Sequence, residues 1–173
     1  MSDRYVFDLD GTLIDTREAV RQAYRAAGLE EFPDDAWGKP AREWLRDEAV
    51  HTRKNALYPE MLRRYARKLP LLGLCLNIHA PVITGASPMA ASHVSDFIND
   101  PRLAIMLWGA SLGDKADWLR QYDLRRADQQ NFYVDDNPNI RSTLEGMMRE
   151  RWQMISPEEA FTRLSLPQAR THD

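Results

Sequence analysis

The chain has 173 residues, a length that suits one domain, or one domain with a small insert, and that can bury a core. Its formal net charge of −3 and charged content of 28% are ordinary for a globular protein and argue against a chain built to wrap nucleic acid. Its one cysteine, Cys75, excludes an internal disulfide, and we find neither an apolar leader nor an apolar run of membrane length, so we expect a cytoplasmic protein without a membrane contact.

The first predicted strand, residues 5–7, stops abruptly at an acidic turn. Asp8 and Asp10 follow it, and their carboxylates can converge because residues i and i+2 of an extended segment point to the same side. Gly11 then lets the chain turn sharply. Two convergent carboxylates repel each other unless a cation or a proton lies between them, and a hard ion such as Mg²⁺ suits oxygen ligands. The alternative interpretation is an acidic surface turn.

The segment between residues 16 and 77 shows mainly helical patterns. Helices are predicted over residues 17–27, 41–50, 59–68 and 70–79. Residues 39–68 hold nine Lys and Arg against four acids. This excess of positive charge fits either a lid over an anionic substrate or a solvated helical face.

The rest of the chain alternates strands with helices. Apolar, β-prone runs predict strands over residues 81–85, 103–108, 131–134 and 151–155. Such alternation indicates an α/β fold, a parallel sheet with helices on both faces, whose ligand site lies beyond the carboxyl ends of the strands. Thr84 and the pair Asp135 and Asp136 stand at such ends, as Asp8 does, and Lys115 opens the helix after the third strand. The topology therefore predicts that these side chains meet at one edge of the sheet.

This set of side chains fits phosphoryl transfer through an aspartyl-phosphate. Asp8 would be the nucleophile, and Asp10 would protonate the leaving oxygen and later deprotonate the attacking water. Lys115 would balance the charge of the nucleophile and the phosphate, and Mg²⁺ would offset the repulsion between them. The predicted metal ligands are Asp8, Asp10 through its backbone carbonyl, Asp135 and Asp136. The predicted phosphate-binding residues are Thr84, Gly85, Lys115, Asp10 and Gly11.

Four short stretches resemble the motifs of the haloacid dehalogenase superfamily. Asp8-Leu9-Asp10-Gly11-Thr12 is similar to its motif I, Ile83-Thr84-Gly85 to motif II, Lys115 to motif III and Val134-Asp135-Asp136 to motif IV. The resemblance implies a Rossmann-like core, Mg²⁺ dependence and an aspartyl-phosphate intermediate. An acid at the position of Asp10 implies a phosphatase or a mutase. Of the two adjacent acids in motif IV, we favour Asp136 for direct contact with the metal.

The long interval between the first two motifs predicts an inserted unit. The resemblance implies a small helical cap there, so we predict a catalytic core of residues 1–15 and 78–173 and a cap of residues 16–77. The candidate substrate residues of the cap are Trp37, Lys39, Arg42 and Trp44, because cations bind anions and aromatic rings stack on bases. We therefore predict a phosphomonoester hydrolase for a small phosphorylated metabolite, with a nucleoside monophosphate as the leading candidate. Packing within the cap is the alternative role of the two tryptophans.

Three other functions are less consistent with the sequence. In a receiver domain of two-component signalling the acidic pair comes first and the lysine last, whereas Lys115 precedes Asp135 and Asp136 here. A catalytically idle binding module of the same fold would not need all four motifs. A polynucleotide 3′-phosphatase is an alternative because residues 39–68 are basic, although a net acidic chain with a cap suits a small molecule better.

Overall fold

The computed structural model describes residues 3–37, 41–122, 129–148 and 151–166. The strands are β1 (Arg4–Phe7), β2 (Ile14–Asp15), β3 (Arg67–Lys68), β4 (Pro81–Ile83), β5 (Ala104–Leu107), β6 (Asn131–Val134) and β7 (Gln153–Ile155). The helices are α1 (Arg17–Ala26), α2 (Ala41–Trp44), α3 (Glu48–Tyr65), α4 (Pro70–Asn77), α5 (Pro88–Ile98), α6 (Leu112–Tyr122), α7 (Pro138–Met148) and α8 (Pro157–Ser165). One turn of 3₁₀ helix covers Asp34–Ala36.

The main sheet has five parallel strands in the order β5-β4-β1-β6-β7. Strands β4 and β5 lie on one side of β1, and the later strands β6 and β7 lie on the other side. The carboxyl ends of β4, β1 and β6 therefore lie side by side, and the reversal of strand order beside β1 is where ligands bind in open parallel sheets. This architecture confirms the predicted α/β sheet.

Helices cover both faces of the sheet. Phe7, with side chains of α1, α3, α4, α5 and α8, belongs to one buried apolar cluster, whereas Val6 and Tyr133 belong to a second cluster with α6 and α7. Residues 5–7 are all buried, as the unbroken apolar run of a central parallel strand requires. Each large apolar side chain buried in this way contributes about 1.5–3 kcal/mol.

The segment between β1 and β4 differs from the sequence prediction in two places. Helix α3 runs through Pro59 without a break, whereas we predicted one helix over residues 41–50 and another over 59–68. Its true start is set by Asp47, whose carboxylate accepts hydrogen bonds from the backbone N–H groups of Ala49 (2.8 Å) and Val50 (3.2 Å). Residues 67 and 68 were predicted as helix but form β3. This strand pairs with β2 and so brings the two ends of the inserted segment together.

Helix α4 lies against the main core. Its side chains Leu71, Leu72 and Cys75 share the apolar cluster of Phe7. Burial raises the pKa of the Cys75 thiol to about 12. The division into a core and a cap of residues 16–77 stays a prediction. Helix α4 falls within the predicted cap but packs against the apolar cluster of the sheet. No helix in the described ranges is both long enough and apolar enough to cross a membrane.

Candidate active site

Asp8 and Lys115 form a buried ion pair at the carboxyl end of β1. The backbone N–H of Asp8 donates to the carbonyl oxygen of Val134 at 2.8 Å, which extends the pairing of β1 with β6 by one residue. Lys115 comes from α6, and its Nζ lies 2.8 Å from Asp8 Oδ1. Two residues that are 107 positions apart in the sequence are thus in direct contact.

The surroundings of this pair shift both pKa values. Burial raises the pKa of Asp8 to about 8, the charge of Asp135 adds to the rise, and Lys115 acts against it. Burial disfavours the charge of Lys115, but Asp8 and Asp135 outweigh it and raise the lysine's pKa, so the ammonium keeps its proton. Crowded, poorly solvated acids of this kind are typical of functional sites.

A tyrosine that the sequence analysis missed connects the lysine to a second acid. The hydroxyl of Tyr133 accepts a hydrogen bond from Lys115 Nζ (2.8 Å) and donates one to Asp135 Oδ2 (2.9 Å). Lys115 Nζ lies farther from Asp135 Oδ2, at 3.5 Å. Tyr133 lies in β6 and Asp135 directly follows the strand, so their two-residue spacing was the sequence signal that the two side chains share a side.

Three carboxylates converge at the same place and fit a hard divalent cation. Asp8, Asp135 and Asp136 each offer one oxygen, and these oxygens lie within 4.8 Å of one another. Gly11, with a φ of +84°, makes room for them, because a Cβ at that position would overlap the Asp136 carboxylate. An all-oxygen donor set of this charge is the type that Mg²⁺ prefers.

Asp136 also has a protein cation beside it. Its Oδ2 lies 2.6 Å from the guanidinium of Arg17, at the first position of α1. Burial and the charge of Asp135 raise the pKa of Asp136, and Arg17 opposes that rise. The backbone N–H of Asp136 donates to the hydroxyl of Thr12 at 3.0 Å, which ties the end of β6 to the turn after β1.

Asp10 is held by two hydroxyls. Thr16 Oγ1 donates to one of its carboxylate oxygens at 2.7 Å, and Thr84 Oγ1 reaches the other at 3.4 Å. Burial raises the pKa of Asp10, and these hydroxyls and Lys54 oppose the rise. An acid with a raised pKa that sits beside the candidate nucleophile is suited to proton transfer. The contact of Thr16 with Asp10 was not predicted from the sequence.

Lys54 of α3 is a buried lysine within the basic segment of residues 39–68. Its Nζ lies 4.3 Å from the centre of the Tyr58 ring and 5.3 Å from that of Tyr24. Burial lowers its pKa to about 8, and the charge of Asp10 acts in the opposite direction. Helix α3 therefore brings one positive charge within electrostatic reach of Asp10.

The predicted phosphate-binding turn follows β4. Thr84 is buried, and its Oγ1 accepts a hydrogen bond from the backbone N–H of Ala86 at 3.0 Å. Gly85 between them is exposed, and a Cβ there would lie 3.4 Å from the carbonyl oxygen of Ala110. The backbone of this turn is therefore accessible next to the Thr84 hydroxyl.

The predicted substrate residues of the cap are not brought to the acids by any described contact. The Trp44 ring packs edge-on against Tyr24 and Phe32, with centroids 5.2 and 5.1 Å away, and the Trp37 ring lies 4.8 Å from Phe32. Lys39 and the side chain of Arg42 lie outside the described parts of the chain.

The fold is similar to several solved structures. CbbY from Rhodobacter sphaeroides in complex with phosphate has a TM-score of 0.65 and 18% identity, with 90% of this chain and 86% of that chain covered. A protein from Thermotoga maritima provisionally named β-phosphoglucomutase has a TM-score of 0.62 and 16% identity, with coverages of 94% and 98%. A HAD-superfamily hydrolase of subfamily IA from Geobacter sulfurreducens has a TM-score of 0.59 and 14% identity, with coverages of 94% and 100%.

No protein-family model matches the sequence, and no curated protein matches it significantly. Identities this low establish a shared fold and leave the activity to be argued from the site. The sheet, its strand order and these similarities show that the chain has the fold of the haloacid dehalogenase superfamily hydrolases.

Proposed function

We propose that the protein is a Mg²⁺-dependent phosphomonoester hydrolase that acts on a small phosphorylated metabolite through an aspartyl-phosphate at Asp8. The observation that carries this proposal is the Asp8–Lys115 ion pair inside the cluster of Asp8, Asp135 and Asp136. The Asp8 carboxylate pairs with the Lys115 ammonium and lies beside two further acids, with which it could bind a cation. This is the electrostatic arrangement that an anion needs in order to attack an anionic phosphate.

The reaction has two steps. In the first, a carboxylate oxygen of Asp8 bonds to phosphorus, the ester P–O bond breaks, and Asp10 gives its proton to the leaving oxygen. In the second, Asp10 takes a proton from water, the water oxygen bonds to phosphorus, and the Asp8 carboxylate leaves. Lys115 holds Asp8 during both steps, and Thr84 with the turn around Gly85 binds phosphate oxygens. Mg²⁺, held by Asp8, Asp135 and Asp136 and by the Asp10 carbonyl, would supply positive charge that offsets the repulsion between nucleophile and phosphate.

Two features bear on the substrate. Thr16 and Lys54 of the inserted segment act on Asp10, and a cap at this place would suit a metabolite better than a polymer. The tryptophans that suggested a nucleoside monophosphate already pack against Tyr24 and Phe32, which weakens that candidate. We therefore keep the nucleotide as one candidate within the broader class of small phosphomonoesters.

The test begins with a phosphate-release screen over metabolites, nucleotides and 3′-phosphorylated DNA. Asp8→Asn keeps the side-chain volume but removes the attacking charge, so turnover should fall by about three orders of magnitude or more while substrate binding survives. Asp117→Asn is the matched control, because it removes an exposed acid whose ion pair among the described residues is with the surface residue Arg120 in α6. EDTA should abolish activity and Mg²⁺ should restore it.

Four outcomes would contradict the proposal. More than a few per cent of activity in Asp8→Asn would exclude the covalent mechanism, and full activity in EDTA would exclude the metal. Release of phosphate from DNA alone would favour the polynucleotide 3′-phosphatase. No release from any compound by the folded, Mg²⁺-loaded protein would favour the idle binding module.

A further inference from the structure

Tyr133 places a phenol oxygen inside the site, on a strand that is otherwise apolar at this end. Its neighbours Phe132 and Val134 contribute only apolar side chains to the core. The Tyr133 ring belongs to the second apolar cluster and is fully buried. Its hydroxyl nevertheless bonds to Lys115 and Asp135, and the reaction described above gives it no role.

The hydroxyl bridges two charged groups, the ammonium of Lys115 and the carboxylate of Asp135. Lys115 Nζ is 2.8 Å from Asp8 Oδ1 but 3.5 Å from Asp135 Oδ2, and all three groups are buried. Attraction between buried charges is only weakly screened, so a lysine among several acids is drawn to each of them. The phenol accepts one hydrogen bond from Lys115 and donates one to Asp135 Oδ2. Both groups are thus hydrogen-bonded while their charged atoms stay 3.5 Å apart.

The second oxygen of Asp135 is also occupied by a donor. Asp135 Oδ1 accepts a hydrogen bond from the backbone N–H of Asn137 at 2.9 Å. With Tyr133 on Oδ2, one donor fixes each oxygen and therefore the orientation of the carboxylate. Each oxygen keeps a second lone pair for a cation.

We propose that Tyr133 is a positioning residue that holds Lys115 on Asp8 and orients Asp135 for a divalent cation. An approach of Lys115 to Asp135 closer than the present 3.5 Å would draw the ammonium away from the nucleophile. The inference rests on the proposed function, since it concerns the same site, but it makes a separate prediction about cation affinity. Groups that orient a metal ligand in this way typically change affinity or activity by about ten- to a hundredfold when they are removed.

Tyr133→Phe tests the proposal, because it removes one oxygen and keeps the ring in the core. We expect the Kd for Mg²⁺, measured by calorimetry on metal-free protein without substrate, to rise about tenfold. The kcat should fall about ten- to a hundredfold while KM stays within about threefold, since Tyr133 touches no substrate. Tyr5→Phe is the matched control. Tyr5 is a buried tyrosine of the adjacent strand, it lines a cavity at the opposite end of the sheet, and its loss should change none of these values more than about twofold.

A Mg²⁺ affinity of Tyr133→Phe within twofold of the wild type would overturn the proposal. So would a loss of activity that only follows the loss of folded protein in thermal melts, because that result indicates a purely structural role. If Tyr133→Phe does not fold, wild-type protein carrying [¹³Cζ]tyrosine gives a second measurement. Mg²⁺ should shift a tyrosine resonance, and the absence of any such shift would equally overturn the proposal.

The substrate-free titration separates this inference from the proposed function. Weaker Mg²⁺ binding by Tyr133→Phe in a protein that hydrolyses no phosphomonoester would support the positioning of Asp135 and refute the hydrolase. Hydrolysis by the wild type together with unchanged Mg²⁺ binding and kcat in Tyr133→Phe would refute only the role of Tyr133.

Discussion

At Asp8, burying a charged carboxylate in the site lowers the stability of the folded protein. Burial raises its pKa to about 8, whereas an aspartate in an unfolded chain titrates near 4. A carboxyl whose pKa is raised by folding contributes stability that is fully present below the unfolded pKa and is lost as the pH rises through the folded value. The ionisation of Asp8, taken by itself, should therefore lower the stability of the metal-free protein between about pH 4 and pH 8.

Asp8→Asn should remove part of this pH dependence, because the amide resembles the protonated acid. In EDTA at pH 8 we expect the variant to have a free energy of unfolding higher than that of the wild type, on the order of 2 kcal/mol, and at pH 5 a smaller difference. Urea unfolding at both pH values measures this, with Asp117→Asn as the control at an exposed acid. Parallel pH profiles for wild type and Asp8→Asn would show that the pKa of Asp8 is not raised.

The meeting of Asp8, Thr84 and Lys115 was predictable, whereas the contact of Tyr133 with Lys115 and that of Thr16 with Asp10 were not. Parallel strands bring their carboxyl ends to one edge, so residues that follow strands are predicted to meet whatever their separation in sequence. These two contacts depend on the directions of the Tyr133 and Thr16 side chains. Those directions are set by the register of the neighbouring strands and by the start of α1. The catalytic roles of all these residues stay predictions until the variants are measured.

Among the elements, α3 and β3 show where local sequence signals fail. Pro59 predicts a helix boundary because it lacks an N–H and crowds the preceding turn. The helix continues through it because Tyr58 and Leu62, on either side, are buried in the main apolar cluster, and this packing outweighs the local penalty. The two-residue strands β2 and β3 are too short to produce a pattern, and only their pairing across the inserted segment defines them.

The aromatic group of Tyr24, Phe32 and Trp44 gives a prediction about the inserted segment. Because the Trp44 ring packs against both partners, Trp44→Ala should lower the free energy of unfolding by about 1–3 kcal/mol. KM should change by the same small factor for nucleotides and for phosphoglycolate. Phe161→Ala, at an exposed aromatic residue of α8, is the control and should cost about 0.5 kcal/mol or less. A rise in KM for nucleotides alone would instead support stacking on a base.

At the scale of the whole molecule, one apolar cluster joins the inserted helices to the sheet. It contains Phe7 and Val134 of the sheet, Ala23 of α1 and both Tyr58 and Leu62 of α3. An insert that unfolded separately would have to expose this shared surface. The cap and core predicted from the sequence are therefore expected to behave as one cooperative unit.

We expect a single unfolding transition in urea, with coincident curves from far-ultraviolet circular dichroism and from tryptophan fluorescence. The tryptophans sample both parts, since Trp37 and Trp44 lie in the inserted segment and Trp152 lies in the core beside α6 and α7. An early fluorescence change that precedes the loss of helical signal would contradict this expectation. It would show that the protein unfolds in more than one step.

The burial of Cys75 has a practical consequence for measurements of motion. It is the only cysteine in the chain, and its thiol is enclosed in the core with a pKa of about 12, so it should react very slowly with maleimides or spin labels at neutral pH. A single cysteine introduced at an exposed position, such as Arg63 of α3, would then be the one thiol that takes up a probe quickly. A probe at that position would allow movement of α3 relative to the sheet to be followed without first removing the native thiol.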